Sequence, residues 1–262
     1  MNKKKKKKKK GIEYFIIGGK GLIGRSIAEY LKKKKKTFRV ITKHNYNGYK
    51  NKKCSIIINA NGNSSRYYAN TYPKKDFHKS VITVFKSVFD FKYTKYVYIS
   101  SGDVYEKINK KNNEKKIIEK PCNYYGKNKF LAEQIIKFYC NNWIILRPGP
   151  IIGSRLKKNL FFDLRKNKKV YSNINSSYSY ITNSNFSKII YKICQKANNE
   201  IFNISGNKTV SNINLKRLIK SKSSFDNNKV KEKYSLNNSK IEKFLKIKMP
   251  NSINEIKKVI NI

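Results

Sequence analysis

A chain of 262 residues with 39% hydrophobic content has the material for one α/β core. It holds no apolar run of about 18 residues and no apolar stretch behind its leading lysines, so neither a membrane span nor a secretory signal is expected and the cytoplasm is the default compartment. The formal charge of +46 suggests a polyanion partner, yet 54 of the 61 basic residues are Lys and only seven are Arg, with Asn (34) and Ile (35) inflated beside them; A/T-rich codon drift explains all these excesses with one cause, and nucleic acid is not expected as the primary partner.

Residues 1–10, with lysines at 3–10, repel themselves into a disordered tail. Residues 12–17 then read as a short apolar strand that stops at Gly18-Gly19-Lys20-Gly21, after which Ile23, Ile27 and Leu31 have helical spacing. Strands follow at 38–42 and 54–59, the second a buried Ser-Ile-Ile-Ile run. Val81, Val84, Phe85, Val88 and Phe89 predict one helix over 76–91, leading into a strand at 96–100, a helix over 124–139 and a strand at 143–146. Strands alternating with helices predict a doubly wound parallel α/β sheet, a Rossmann nucleotide-binding domain over 11–150. The pattern loosens beyond Pro148, and residues 151–262 read as a small substrate lobe of short elements, part of the same compact unit. The four cysteines have no close pairs and the two histidines stand far apart, so no metal site is expected.

Gly18, Gly21 and Gly24 give G-x-x-G-x-x-G between a strand and a helix, and Gly19 with Gly21 and Gly24 gives G-x-G-x-x-G. Glycines there allow a tight turn and close backbone approach to a pyrophosphate, whose charge the helix N-terminus meets. The second strand ends in Thr42, Lys43 and His44 with no acid, which leans from NAD towards NADP, since a base suits a 2′-phosphate. Tyr125 and Lys129 lie four apart, on one face of the expected helix, where an ammonium lowers a phenol's pKa towards neutrality. In a chain this rich in Tyr and Lys the spacing alone also fits a solvated pair.

The order of these motifs resembles the extended short-chain dehydrogenase/reductases, specifically the NAD-dependent epimerase/dehydratase family. Ile16-Ile17-Gly18-Gly19-Lys20-Gly21-Leu22-Ile23-Gly24 looks like its cofactor turn and Asn59-Ala60-Asn61 like the strand end that passes the cofactor. Tyr98-Ile99-Ser100-Ser101-Gly102-Asp103-Val104-Tyr105 looks like the catalytic-serine strand, which picks Ser101. Tyr125-Gly126-Lys127-Asn128-Lys129 with Leu131-Ala132-Glu133 looks like the catalytic helix, and Leu146-Arg147-Pro148-Gly149-Pro150 like the strand end before the substrate lobe.

The resemblance implies NAD(P)-dependent oxidoreduction of a nucleotide sugar by an epimerase or 4-ketoreductase, less so a dehydratase, in polysaccharide synthesis. Ser101, Tyr125 and Lys129 would be catalytic; Gly18, Gly21, Leu22, Ile23, Gly24, Lys43, Ala60, Tyr125, Lys129 and Pro148 would hold the cofactor. Asp103, Arg147 and Arg155 would face substrate, with Arg147 better suited to capping its strand end. It also implies a homodimer through the helices at 76–91 and 124–139, where Ile135, Ile136 and Tyr139 would add apolar contacts, though core packing explains these three equally well. The chain departs from the family in its short span between Gly18 and Asn59, which suggests loss of a strand-helix unit, and in Asn183, where an Asp is usual. The rival reading is a non-catalytic nucleotide-binding protein whose basic surface engages RNA or another polyanion.

Overall fold

The computed structural model describes residues 11–106, 112–121 and 123–260; the lysine run of the expected tail lies outside them. The chain begins with β1 (Tyr14–Ile17), α1 (Leu22–Lys33), β2 (Phe38–Ile41) and β3 (Ile56–Asn59). It continues through α2 (Arg66–Thr71), α3 (Pro73–Phe77), a π-helical turn (His78–Ile82) and α4 (Thr83–Phe89) to β4 (Lys95–Ile99), then α5 (Tyr124–Tyr139) and β5 (Trp143–Pro148). The second half comprises β6 (Ile151–Ile152), α6 (Leu160–Arg165), β7 (Ser177–Tyr178), β8 (Ile181–Thr182), α7 (Asn183–Lys196) and β9 (Glu200–Ile204). It ends with β10 (Val210–Ser211), α8 (Asn212–Ile219), β11 (Lys233–Tyr234), α9 (Ser239–Leu245) and α10 (Ser252–Ile260).

Six strands form one sheet in the order β2-β1-β3-β4-β5-β9, with every neighbouring pair parallel. Side chains alternate between its faces, as the two-residue period of a strand requires. Ile16, Ile58, Val97, Ile99, Ile144 and Leu146 meet α1, α7 and α9 on one face, while Phe15, Ile17, Ile57, Tyr96, Tyr98 and Ile145 meet α4 and α5 on the other. The sheet order also locates the missing unit. β3 pairs directly with β1, no described strand flanks β2 on its outer side, and between β2 and β3 the chain forms a 3-10 turn at Asn47–Tyr49. The order reverses between β1 and β3, and that crevice is where doubly wound sheets bind ligands.

Two expectations need correction. The division at residue 150 does not follow the sheet, because β9 and α7 return to it from beyond that point; the lobe proper keeps its own core of Phe161, Leu164, Val210, Leu215, Ile256 and Val259. The helix expected over 76–91 starts earlier, at Pro73, and runs in continuous helical backbone to Phe89 with a π turn inside it. Pro73, which has no N–H, starts α3 after Tyr72 leaves helical conformation, and the π turn then inserts ahead of α4.

The sheet edges are short and tied by side chains. On β2, Arg39 points outward and Asn45 folds back to donate to the Val40 carbonyl at 3.0 Å. On β9, the Asn203 amide donates to Glu114 at 2.7 Å.

Candidate active site

The glycine turn sits at the β1–β3 crevice. Gly18 adopts φ +78°, and a Cβ there would lie 2.8 Å from the Ala60 carbonyl oxygen and the Asn61 nitrogen. Gly24 lets α1 lie against the turn, since a Cβ would stand 2.5 Å from the Gly18 carbonyl oxygen. Gly21 is the N-cap of α1 and supplies no side-chain hydrogen bond, so the first amides of the 12-residue helix have no side-chain acceptor. A tight backbone cradle facing uncapped amides fits a pyrophosphate. Gly18, Gly21, Leu22, Ile23 and Gly24 form it, Ala60 closes it through its amide bond to Ile17 (2.9 Å), and Lys43 lies exposed just past β2. Pro148 is buried at the end of β5, paired with Ile204.

The second half of the site lies where β4 meets α5. Asn123 caps α5 by accepting from the Gly126 amide at 2.8 Å. A side chain at Gly126 would collide with the Asp103 carbonyl, 2.0 Å from its Cβ position, so glycine is what lets α5 press against the turn after β4. That contact brings Tyr125 beside Ser101, close enough for the Ser101 hydroxyl to favour its phenolate. Ser101 also accepts from the Asp103 amide at 3.2 Å. Lys129 follows one helical turn on, 4% exposed, with Nζ donating to the Ile99 carbonyl at 3.1 Å and lying 5.9 Å from the Tyr125 ring centre. Ser101, Tyr125 and Lys129 thus lie together between β4 and α5.

Their electrostatics differ from the expectation. Burial raises the Tyr125 phenol above its ordinary value, assisted by the Asp103 charge and opposed by Ser101 and Arg66. Burial also pushes the Lys129 ammonium down to about 8, against the pull of the buried carboxylates Asp76 and Glu133. Desolvation outweighs the ammonium's effect on the phenol here. Asp76 itself accepts from Asn128 at 2.7 Å and from Ser80 at 3.2 Å, which ties α3, the π turn and α5 together behind the site.

The three candidates for substrate contact separate. Asp103 stays at the site, gripped by Arg66 through Nε (2.8 Å) and Nη2 (2.6 Å). Arg147 is 2% exposed and locked to Glu133 through Nε (3.0 Å) and Nη2 (2.6 Å), while Ser100 donates to the same carboxylate at 2.5 Å. Its guanidinium therefore serves the strand-end role and faces protein on every described side. Arg155 lies on the surface, 60% exposed, paired with Glu29 at 2.6 Å. Asn183 opens α7, and its carbonyl accepts from Ser26 at 3.0 Å.

Sequence reasoning missed Arg66, Glu232 and Tyr234. Arg66 reaches Glu232 through Nη1 at 3.2 Å, and the Tyr234 hydroxyl rests where a side chain on Gly102 would be, next to Ser101. Arg66 carried one signal, as an arginine where nearly all cations are lysine. No group of His, Cys, Asp and Glu able to hold a metal occurs among the described residues, nor does any helix long and apolar enough to cross a membrane.

The model of the NAD dependent epimerase/dehydratase family matches residues 14–205. No curated protein matches. Among solved structures, the fold is similar to MoeE5 in complex with UDP-glucose and NAD, with TM-score 0.85 and 12% identity over 95% of this chain and 97% of that one. It is similar to UDP-glucose 4-epimerase from Thermotoga maritima, with TM-score 0.80 and 15% identity over 95% and 98%. It is also similar to UDP-glucuronic acid 4-epimerase from Bacillus cereus, solved with UDP-glucuronic acid and NAD, with TM-score 0.79 and 14% identity over 95% and 98%.

Proposed function

The chain belongs to the NAD dependent epimerase/dehydratase family, and from that premise we propose that it oxidises or reduces the C4 position of a nucleotide sugar in the cytoplasm, as an epimerase or 4-ketoreductase serving polysaccharide synthesis. The observation that carries this reading is the Ser101–Tyr125 hydroxyl pair with the Lys129 ammonium buried one turn behind. A nicotinamide dinucleotide, when bound, supplies the two-electron redox chemistry. The chain's own groups handle the proton. Tyr125 takes it from the C4 hydroxyl or returns it to the C4 oxygen, Ser101 holds that oxygen in line, and Lys129 supplies positive charge as the phenolate forms. The exposed Lys43 favours a cofactor with a 2′-phosphate, which paired titrations of NAD(H) and NADP(H) test directly.

Asp103 weighs against dehydration. A base for C5 needs a carboxylate oxygen open to the substrate, and both of its oxygens are engaged by Arg66. Tyr125→Phe is expected to lower turnover by about 10³-fold while changing cofactor affinity little; turnover at the parental level would sink the assignment.

The same reading includes a homodimer. Phe85, Phe89, Phe138 and Tyr139 form an exposed cluster on α4 and α5, with neighbouring ring centres 4.8–5.7 Å apart. Such a patch on a water-facing helix pair suits a partner surface. Ile136, expected there, is instead fully buried in the core, because α5 turns that side to the sheet. Sedimentation at micromolar concentration should give a dimer, and Phe89→Lys a monomer.

A further inference from the structure

β11 brings the far end of the chain onto the reacting hydroxyls. Side chains alternate along this stretch, so that Lys231 and Lys233 are exposed while Glu232 and Tyr234 turn inward. Glu232 then meets Arg66 at 3.2 Å and accepts from the Tyr178 hydroxyl at 2.8 Å, and Tyr234 lies 5.8 Å beneath the Arg66 guanidinium. Arg66 is thus held by Asp103 on one side and Glu232 on the other, close enough to Tyr125 to act on its phenol. The Arg66 and Glu232 side chains remain 35% and 27% exposed, so this wall is open to a ligand and not sealed in the core.

We infer that Asp103, Arg66 and Glu232 form the wall that reads the sugar, admitting an uncharged hexose and turning away the matching hexuronate. The inference rests on the nucleotide-sugar reading above. C6 of a sugar is two bonds from C4, so reaction at Tyr125 carries the C6 substituent into the neighbourhood of this wall. The guanidinium is already engaged by two carboxylates, of which Glu232, the partly exposed one, presents acceptors while Asp103 adds its charge. A hydroxymethyl group has a proton to donate to them, whereas a carboxylate has only acceptors and a like charge. The chain's overall positive charge pulls the other way, towards the more anionic substrate. That pull is screened beyond about 8 Å at physiological salt, so it hastens encounter with either diphosphate while the adjacent wall discriminates between them.

The test offers the full-length, cofactor-saturated protein hexose and hexuronate pairs that differ only at C6, on uridine, thymidine and guanosine diphosphates. Calorimetric affinity and kcat/KM are both measured. The hexose is expected to bind at least tenfold more tightly, and Glu232→Gln, which keeps the shape and removes a charge, to shrink that ratio several-fold. Equal affinity, preference for the hexuronate, or a ratio that Glu232→Gln leaves unmoved overturns the inference while the nucleotide-sugar reading stands. Discrimination in binding without turnover supports the wall and removes the catalytic reading, and binding of no member of any pair overturns both.

Discussion

Arg147 and Arg66 grip carboxylates with the same two-bonded fork, each with a shortest contact of 2.6 Å, yet the two clusters do different work. Around Arg147 both partners are shut from solvent, 2% and 0% exposed, and the guanidinium lies 5.0 Å from the Tyr105 ring centre. That pair joins α5 to β5 and sets the angle at which the catalytic helix crosses the sheet. Around Arg66 the partners come from segments far apart in sequence and the cation stays a third exposed. One fork is held by packing and the other stays open to solvent. The difference teaches that arginine geometry alone does not mark a ligand site; solvent access does.

The comparison is broken most forcefully from the closed side. Glu133→Ala leaves the Arg147 charge buried without its partner and should cost about 3–5 kcal/mol in urea-induced unfolding; a loss below about 1 kcal/mol would show that the two clusters are alike. Lys129, beside the closed cluster, gives the next effect. Its folded pKa of about 8 lies below the ordinary lysine value near 10.4. Below pH 8 both folded and unfolded chains hold the proton and the folded state bears the buried charge. Between those values the folded chain releases the proton first, so stability rises with pH. The stability of the parent relative to Lys129→Met should therefore increase by about 3 kcal/mol from pH 8 to 10.4; a difference flat in pH would remove the buried ammonium. The smallest effect belongs to the open cluster. Glu232→Gln should change unfolding free energy by no more than about 1 kcal/mol, as for other partly exposed pairs, and a larger loss would make it a structural pair after all.

The legible parts of the sequence were those written in local spacing. The strand, glycine turn and helix of residues 14–33 were plain because φ, close approach and helical periodicity act within a few positions. The whole of α5, Tyr124–Tyr139, was readable for the same reason, and so was the lost unit between β2 and β3, which is a matter of chain length. The π turn between α3 and α4 was hidden, since it adds a residue without disturbing an apolar pattern already broad enough to absorb it. Arg66, Glu232 and Tyr234 were illegible for a different reason. They meet across up to 168 positions of chain, between Arg66 and Tyr234, and no periodicity links them. The strand carrying Glu232 and Tyr234 into place is two residues long and pairs only with β7.

The tied edges of the central sheet bear on how copies of this chain meet. An unpaired strand edge is a template on which a second molecule can extend the sheet, and in this sheet β2 and β9 are the two edges. Asn45 occupies an acceptor on one border and Glu114 a donor on the other, while β2 is only four residues long and turns Arg39 outward. Open-ended stacking by strand addition is thereby disfavoured at both borders. The dimer proposed above would then use the exposed aromatic face of α4 and α5 and neither sheet edge.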